Sequence, residues 1–189
     1  MISTKILAID AGFAATGLAV FEYTAGRWFL FDTKCLHTKK NHSGSVAHDD
    51  IRRTEFLAAG IMNYFIENKC SAMAAEIPHG GAQSAIAAKC MGAASAMIAA
   101  VRVALGCPCD WISPDMSRAA AGWDKMAHRD IPIKARKLTM KRFIMAAMEV
   151  KYPAISGLKL KDKEHIADAC AAFEAARGRK IIRDMEVDK

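Results

Sequence analysis

Four residues of this chain have the types and the spacing to do chemistry together: Asp10, Glu76, His165 and Asp168. Asp10 ends the apolar run Lys5-Ile-Leu-Ala-Ile-Asp10, and Glu76 stands near the end of Cys70-Ser-Ala-Met-Ala-Ala-Glu76-Ile77. Both runs read as buried strands. A carboxylate at the end of such a strand has to be solvated, paired or bound to a cation, because a bare buried charge is costly. Taken alone, Asp10 is equally well a turn cap that accepts from nearby backbone N–H groups. His165 and Asp168 lie three apart in Glu164-His165-Ile-Ala-Asp168-Ala-Cys-Ala-Ala-Phe173, so they share one face of a helix. Alone, His165 reads as an ordinary core or surface histidine. The alanines around the pair indicate a closely packed helix, which would bring both against the sheet. Sites in open α/β sheets form outside the carboxyl ends of strands, so the two acids are expected to face one crevice. Carboxylates and an imidazole converging there suit hard divalent cations, Mg2+ or Mn2+. A pair of ions about 3.5–4 Å apart clamps the attacking and leaving oxygens of a phosphodiester.

The elements that must position these residues follow from hydrophobic period and turn chemistry. Residues 4–10, 17–23 and 27–36 read as three strands of an antiparallel meander, with Gly12 and Gly17 bracketing the first turn and Thr24-Ala-Gly26 forming the second. Residues 37–49 are polar and read as a mobile loop. A helix is expected from Asp49 or Asp50 to Asn68, with Ile51, Phe56, Leu57, Ile61, Tyr64 and Phe65 at helical spacing and Asp50 as a possible N-cap. Further helices are expected over 82–105, 113–121, 134–150 and 164–177, and a short strand over 108–112. The helix at 134–150 carries Leu138, Phe143, Ile144 and Met148 on one side and cations on the other. This order indicates one α/β domain spanning 1–189, a mixed β-sheet in which an antiparallel β1-β2-β3 is followed by parallel strands, flanked by helices.

Composition sets the partners. Apolar residues make up 52% of the 189, enough for a real core. The apolar stretch around 91–105 is broken by Arg102 and preceded by Lys89, and it is expected to fall short of a membrane-spanning helix. Six cysteines without zinc-knuckle or disulfide spacing read as mostly buried free thiols in a reducing compartment. A soluble, cytoplasmic protein without a membrane partner is the expectation. The net charge of +7 is concentrated. Residues 125–163 hold eleven cations against Asp130, Glu149 and Asp162, a net +8, so the remainder is slightly acidic. Such a block is the electrostatic footprint of a polyanion.

The opening Ile9-Asp10-Ala-Gly12-Phe-Ala-Ala-Thr16-Gly17, the strand-borne Glu76 and the closing His165-Ile-Ala-Asp168-Ala together resemble RuvC-type Holliday junction resolvases, nucleases of the RNase H-like superfamily. The resemblance covers nearly the whole chain, and drift from the usual pattern suggests a phage or prophage member, located at the nucleoid or in a host's cytoplasm. It implies an RNase H-like fold and an endodeoxyribonuclease that resolves four-way DNA junctions. Asp10, Glu76, His165 and Asp168 would hold two Mg2+ ions, with Mn2+ able to substitute, and an activated water would attack a DNA phosphate. Family members act as homodimers, and the alanine-rich 82–105 resembles their dimer helix. Arg118, Lys134, Lys137, Lys141 and Arg142 would contact DNA. His79 stands where the family commonly has a base-stacking Phe, and Ala11 where it has Pro.

Other readings stay open on the sequence. The same fold could cut flaps or other branched DNA with relaxed structure choice, or bind branched DNA without cutting. An actin-like ATPase, which opens with a similar Asp-x-Gly turn, needs a second lobe for which 189 residues leave no room.

Overall fold

The computed structural model describes residues 4–41, 43, 45–78 and 84–187, the side chains of Lys134 and Val187 excepted. Its centre is one five-stranded sheet in the order β3-β2-β1-β4-β5. The strands are β1 (Thr4–Asp10), β2 (Ala15–Thr24), β3 (Arg27–His37), β4 (Ala72–Glu76) and β5 (Cys109–Ile112). The first three form the expected antiparallel meander, and β4 and β5 add in parallel. Ala25 and Gly26 both take positive φ, 50° and 78°, the backbone demanded by a two-residue hairpin loop.

Strand alternation gives the sheet two buried faces. Leu7, Ile9, Leu18, Val20, Met73 and Ala75 meet α1 (Val46–Glu67) and α2 (Ala85–Leu105). Ile6, Ala8, Ala19, Phe21, Ala72 and Ala74 meet α4 (Ile133–Lys151), α5 (Leu160–Ala176) and α6 (Lys180–Val187), while α3 (Pro114–Ala120) follows β5. On this second face small residues oppose small residues. Ala167, Ala169, Ala171 and Ala172 of α5 are fully buried, so the helix lies close on the sheet. Phe173 anchors its far end by stacking on Phe21, the ring centroids 3.7 Å apart.

Several boundaries differ from expectation for local reasons. The segment 37–49 is not all loop: α1 starts at Val46, because the Ser45 hydroxyl accepts from the His48 N–H. Asp50 is therefore not the cap, and it pairs with Lys89 of α2 instead. Ile51 and Phe56 are exposed, whereas Leu57, Ile61, Tyr64 and Phe65 are buried. On α4, Ile144 and Met148 are buried but Leu138 is exposed. α5 begins at Leu160 rather than 164. The unanticipated α6 is held by Ile182 in the core and by the Trp28 indole donating to Glu186. Among the cysteines, all free, Cys70, Cys107 and Cys170 are buried, while Cys35, Cys90 and Cys109 are partly exposed.

α2 corrects one expectation. Despite Lys89 and Arg102 it is long and apolar enough to cross a membrane by length and composition. Ala94, Met97, Ile98 and Val101 nevertheless pack into the core. The predicted start at 82 lies outside the described residues, and the Ser84 hydroxyl caps the helix where it is described.

Candidate active site

Strand register brings the first two acids together. β1 and β4 are parallel neighbours, and Asp10 stands directly beside Glu76 at their carboxyl ends. On the other side of Asp10 the β2 partner is Gly17, which lies inside the strand and not in the turn. Its lack of a side chain is a packing requirement, because a Cβ there would come within 2.1 Å of the His165 carbonyl oxygen. This close approach lays α5 over the end of the sheet. His165 then reaches Asp10, its Nδ1 2.8 Å from Oδ2. The turn after β1 needs no cap from the Asp10 side chain. Gly12 N–H donates to the Asp10 main-chain carbonyl, and the Thr16 hydroxyl donates to the Gly12 carbonyl.

Asp168 lies one helical turn beyond His165, within the electrostatic reach of both strand acids. Burial pushes its carboxyl well above the usual range, and the fields of Asp10 and Glu76 add to this. Glu76 is pushed up to about 7, by burial first, with the Asp10 charge adding to it. The nearby Ser117 hydroxyl and Arg118, both on α3, act in the opposite direction. Ser117 Oγ itself is buried and makes no hydrogen bond of normal geometry. His165 is raised, mainly by its bond to Asp10. Glu76 and Asp168, both raised and both facing the Asp10 charge, form with it a focus of negative potential, and a divalent cation among them would reverse the two shifts.

The donor chemistry fits such an ion: carboxylate oxygens and one imidazole, half-buried at a strand end. Because Nδ1 faces Asp10, Nε2 of His165 is the nitrogen left for a ligand bond. The carboxylates do not gather as tightly as a closed ligand cage. Among the described residues, three donors lie within 4.8 Å of one another only at Cys35, His37 and Asp162.

Beside the acids runs a cationic groove of about 590 Å3 between α3, the turns at 122–132 and α4. Trp123, Ile133 and Met140 line it together with Arg118, Lys125, Arg136, Lys137 and Lys141, and Asp115 is the one acid among the described lining residues. Lys141 pairs with Glu164 and also acts on Asp168, while Arg118 pairs with Asp115. Arg142 is exposed on α4. The Lys134 side chain and all of His79 lie outside the described residues. Sequence reading missed Ser117, Trp123 and the Cys35-x-His37 pair. The last was visible in principle, since residues two apart on a strand share a face.

No protein-family model and no curated protein matches this chain. Solved structures do. Thermus thermophilus RuvC aligns over 93% of this chain and 96% of its own, with a TM-score of 0.63 at 16% identity. The same protein in complex with a Holliday junction substrate gives a TM-score of 0.62 over the same coverage. The yeast mitochondrial Holliday junction resolvase Ydc2 aligns over 96% of this chain and 84% of its own, with a TM-score of 0.54 at 11% identity. The mixed sheet with its flanking helices is the RNase H-like fold of RuvC-type resolvases.

Proposed function

We propose that this protein is a Mg2+-dependent endodeoxyribonuclease that resolves four-way DNA junctions. The observation that carries the reading is the register of Asp10 beside Glu76, with α5 placing His165 on Asp10 and Asp168 in the same field. Asp10, Glu76, Asp168 and Nε2 of His165 would hold two Mg2+ ions, or Mn2+ in their place. Bound there, such ions lower the pKa of water and stabilise the leaving oxygen of a phosphodiester. The protein's own part is to orient these donors. His165 fixes the Asp10 carboxylate through its Nδ1–H, and Gly17 keeps α5 close enough for it to do so.

Arg118, Lys137 and Lys141 of the groove, together with Arg142 and Lys134 of α4, would contact the DNA backbone. Phosphate contacts of this kind give affinity and register but no sequence reading. Two cuts related by symmetry require two copies of the site. The exposed face of α2, where Gly92, Ala96, Ala99 and Val103 recur at helical spacing, is the surface on which a second copy would pack to give a homodimer.

One observation favours a broader substrate range as a second reading. His79 replaces the aromatic wedge that the family commonly places beside a junction's crossover, so opening of a four-way junction is less specifically provided for. Both readings meet in one experiment. Labelled four-way junctions, replication forks, flaps and plain duplex are incubated with the protein and Mg2+. Paired symmetric cuts confined to the four-way junction support resolution, and equal cutting of forks and flaps supports the broader nuclease. Tight binding with no cutting of any substrate would overturn both.

A further inference from the structure

The first turn of α5 makes a second cluster, distinct in chemistry from the acids. Cys35 and His37 lie two apart on β3, so they project from the same face, and Asp162 comes down on them from the helix. One donor atom from each lies within 4.8 Å of the other two. His37 Nε2 is 2.6 Å from Asp162 Oδ1, while its Nδ1 is buried without a hydrogen-bond partner. An imidazole nitrogen and a carboxylate oxygen this close, with a thiol beside both, form a donor set in which a metal ion can take the place of the shared proton. Burial and the neighbouring carboxylates of Asp162 and Asp10 push the Cys35 thiol up to about 12, with only Lys161 opposing them. The cluster is thus a half-exposed negative pocket in which a sulfur, an imidazole and a carboxylate meet.

We propose that Cys35, His37 and Asp162 bind one zinc-class ion, and that this ion ties β3 to the first turn of α5. Thiolate and imidazole suit Zn2+ and its neighbours and are poor partners for Mg2+, so the two sites of the molecule select different ions. On binding, the Cys35 S–H bond breaks, a sulfur–metal bond forms, and the proton leaves to solvent. Three protein donors leave the fourth position of a tetrahedral ion to water. Bond lengths of about 2.3 Å to sulfur and about 2.0–2.1 Å to nitrogen put donors somewhat under 4 Å apart, so His37 Nε2 and Asp162 Oδ1, 2.6 Å apart, separate slightly to admit the ion.

The location gives the ion a consequence. Cys35 is the β3 partner of Gly17, which is the β2 partner of Asp10, so the cluster stands in the same row of the sheet as the candidate active site. Asp162 precedes His165 by one turn and Asp168 by two. An ion that pins Asp162 therefore fixes the helix that carries the other two, and Cys35, His37 and Asp162 act as positioning residues for them.

The test uses full-length protein dialysed against a chelator and titrated with Co2+ as a spectroscopic stand-in for Zn2+. Wild type is expected to develop a thiolate-to-cobalt charge-transfer band that saturates at one ion per chain. Zn2+ bleaches this band and excess Mg2+ does not. Zn2+ also raises the melting temperature. Cys35→Ser loses the band and the Zn2+-dependent rise, while melting like wild type in chelator. His37→Asn and Asp162→Asn weaken Co2+ binding at least about tenfold. Asp10→Asn keeps the band, which separates this site from the proposed nuclease centre. Absence of the band in wild type, or its persistence in Cys35→Ser, would overturn the proposal.

Discussion

The acids at the end of the sheet and the cations along α4 are organised in opposite ways. Asp10 and Glu76 are fixed by strand register, and Asp168 and His165 by a helix that a glycine allows to lie close. Their positions are set by backbone, and no side-chain rotation can replace one with another. The cations sit on long side chains, and Lys141 has a carboxylate partner within the protein, Glu164. Solvent-accessible pairs of this kind are worth little and exchange readily. In the proposed function the difference separates two tasks. Chemistry on a phosphate needs geometry held to fractions of an ångström, whereas holding a flexible polyanion needs charge that can adjust.

If that division is right, the largest structural effect belongs to the smallest residue. Gly17→Ala puts a methyl against the His165 carbonyl oxygen, and α5 has to move away. Overpacking of this sort costs about 1–3 kcal/mol, and the shift of His165 and Asp168 should also lower cutting about a hundredfold. Thermal melting and a cleavage assay check both. A variant with wild-type cleavage would show that α5 is not positioned by that contact.

Neutralising cations should do the reverse. Lys137→Ala combined with Arg142→Ala is expected to weaken junction binding about tenfold and to reduce the slope of log affinity against log salt by about 2, roughly one for each phosphate no longer neutralised. Saturating protein should restore the wild-type cutting rate. An unchanged salt slope would place the DNA on another face.

The smallest effect is on pH dependence. Burial pushes the Glu76 carboxyl up to about 7 from an ordinary 4.5. A raised carboxyl pKa means that the folded state holds the proton more tightly. Its contribution to stability is full below about 4.5 and is lost as the pH rises to about 7. Asp168 and His165 are also raised and act with the same sign. In chelator the melting temperature should therefore fall between about pH 5 and about pH 7.5, and fall less in Glu76→Gln. Equal slopes in the two proteins would mean that Glu76 is not the group responsible.

Much of this arrangement is legible in the chain itself. The meander follows from short apolar runs and their turns, and the mixed sheet from the order of the elements. The meeting of Asp10 and Glu76 follows from both standing at the carboxyl ends of strands, whereas their direct pairing is seen only in the register. Gly17 reads as a turn residue there, because the contact that requires it comes from His165, 148 positions away. Ser45 and Asp50 are both good caps, and only the backbone decides between them. The cluster of Cys35, His37 and Asp162 is hidden for a similar reason. Two of its members are near neighbours on a strand, but the third arrives from a helix that begins four residues earlier than its period suggests. The basic block is legible as charge, whereas the pairing of Lys141 with Glu164 is not.

The measurement closest to the central claim is single-turnover cleavage of a labelled four-way junction in Mg2+ by wild type and by Asp10→Asn, with binding measured on the same samples. Wild type is expected to cut, and the variant to lose about a thousandfold or more in rate, equivalent to about 4 kcal/mol, with junction affinity unchanged within about twofold. Cleavage by Asp10→Asn at the wild-type rate would contradict the assignment of these acids to the chemistry.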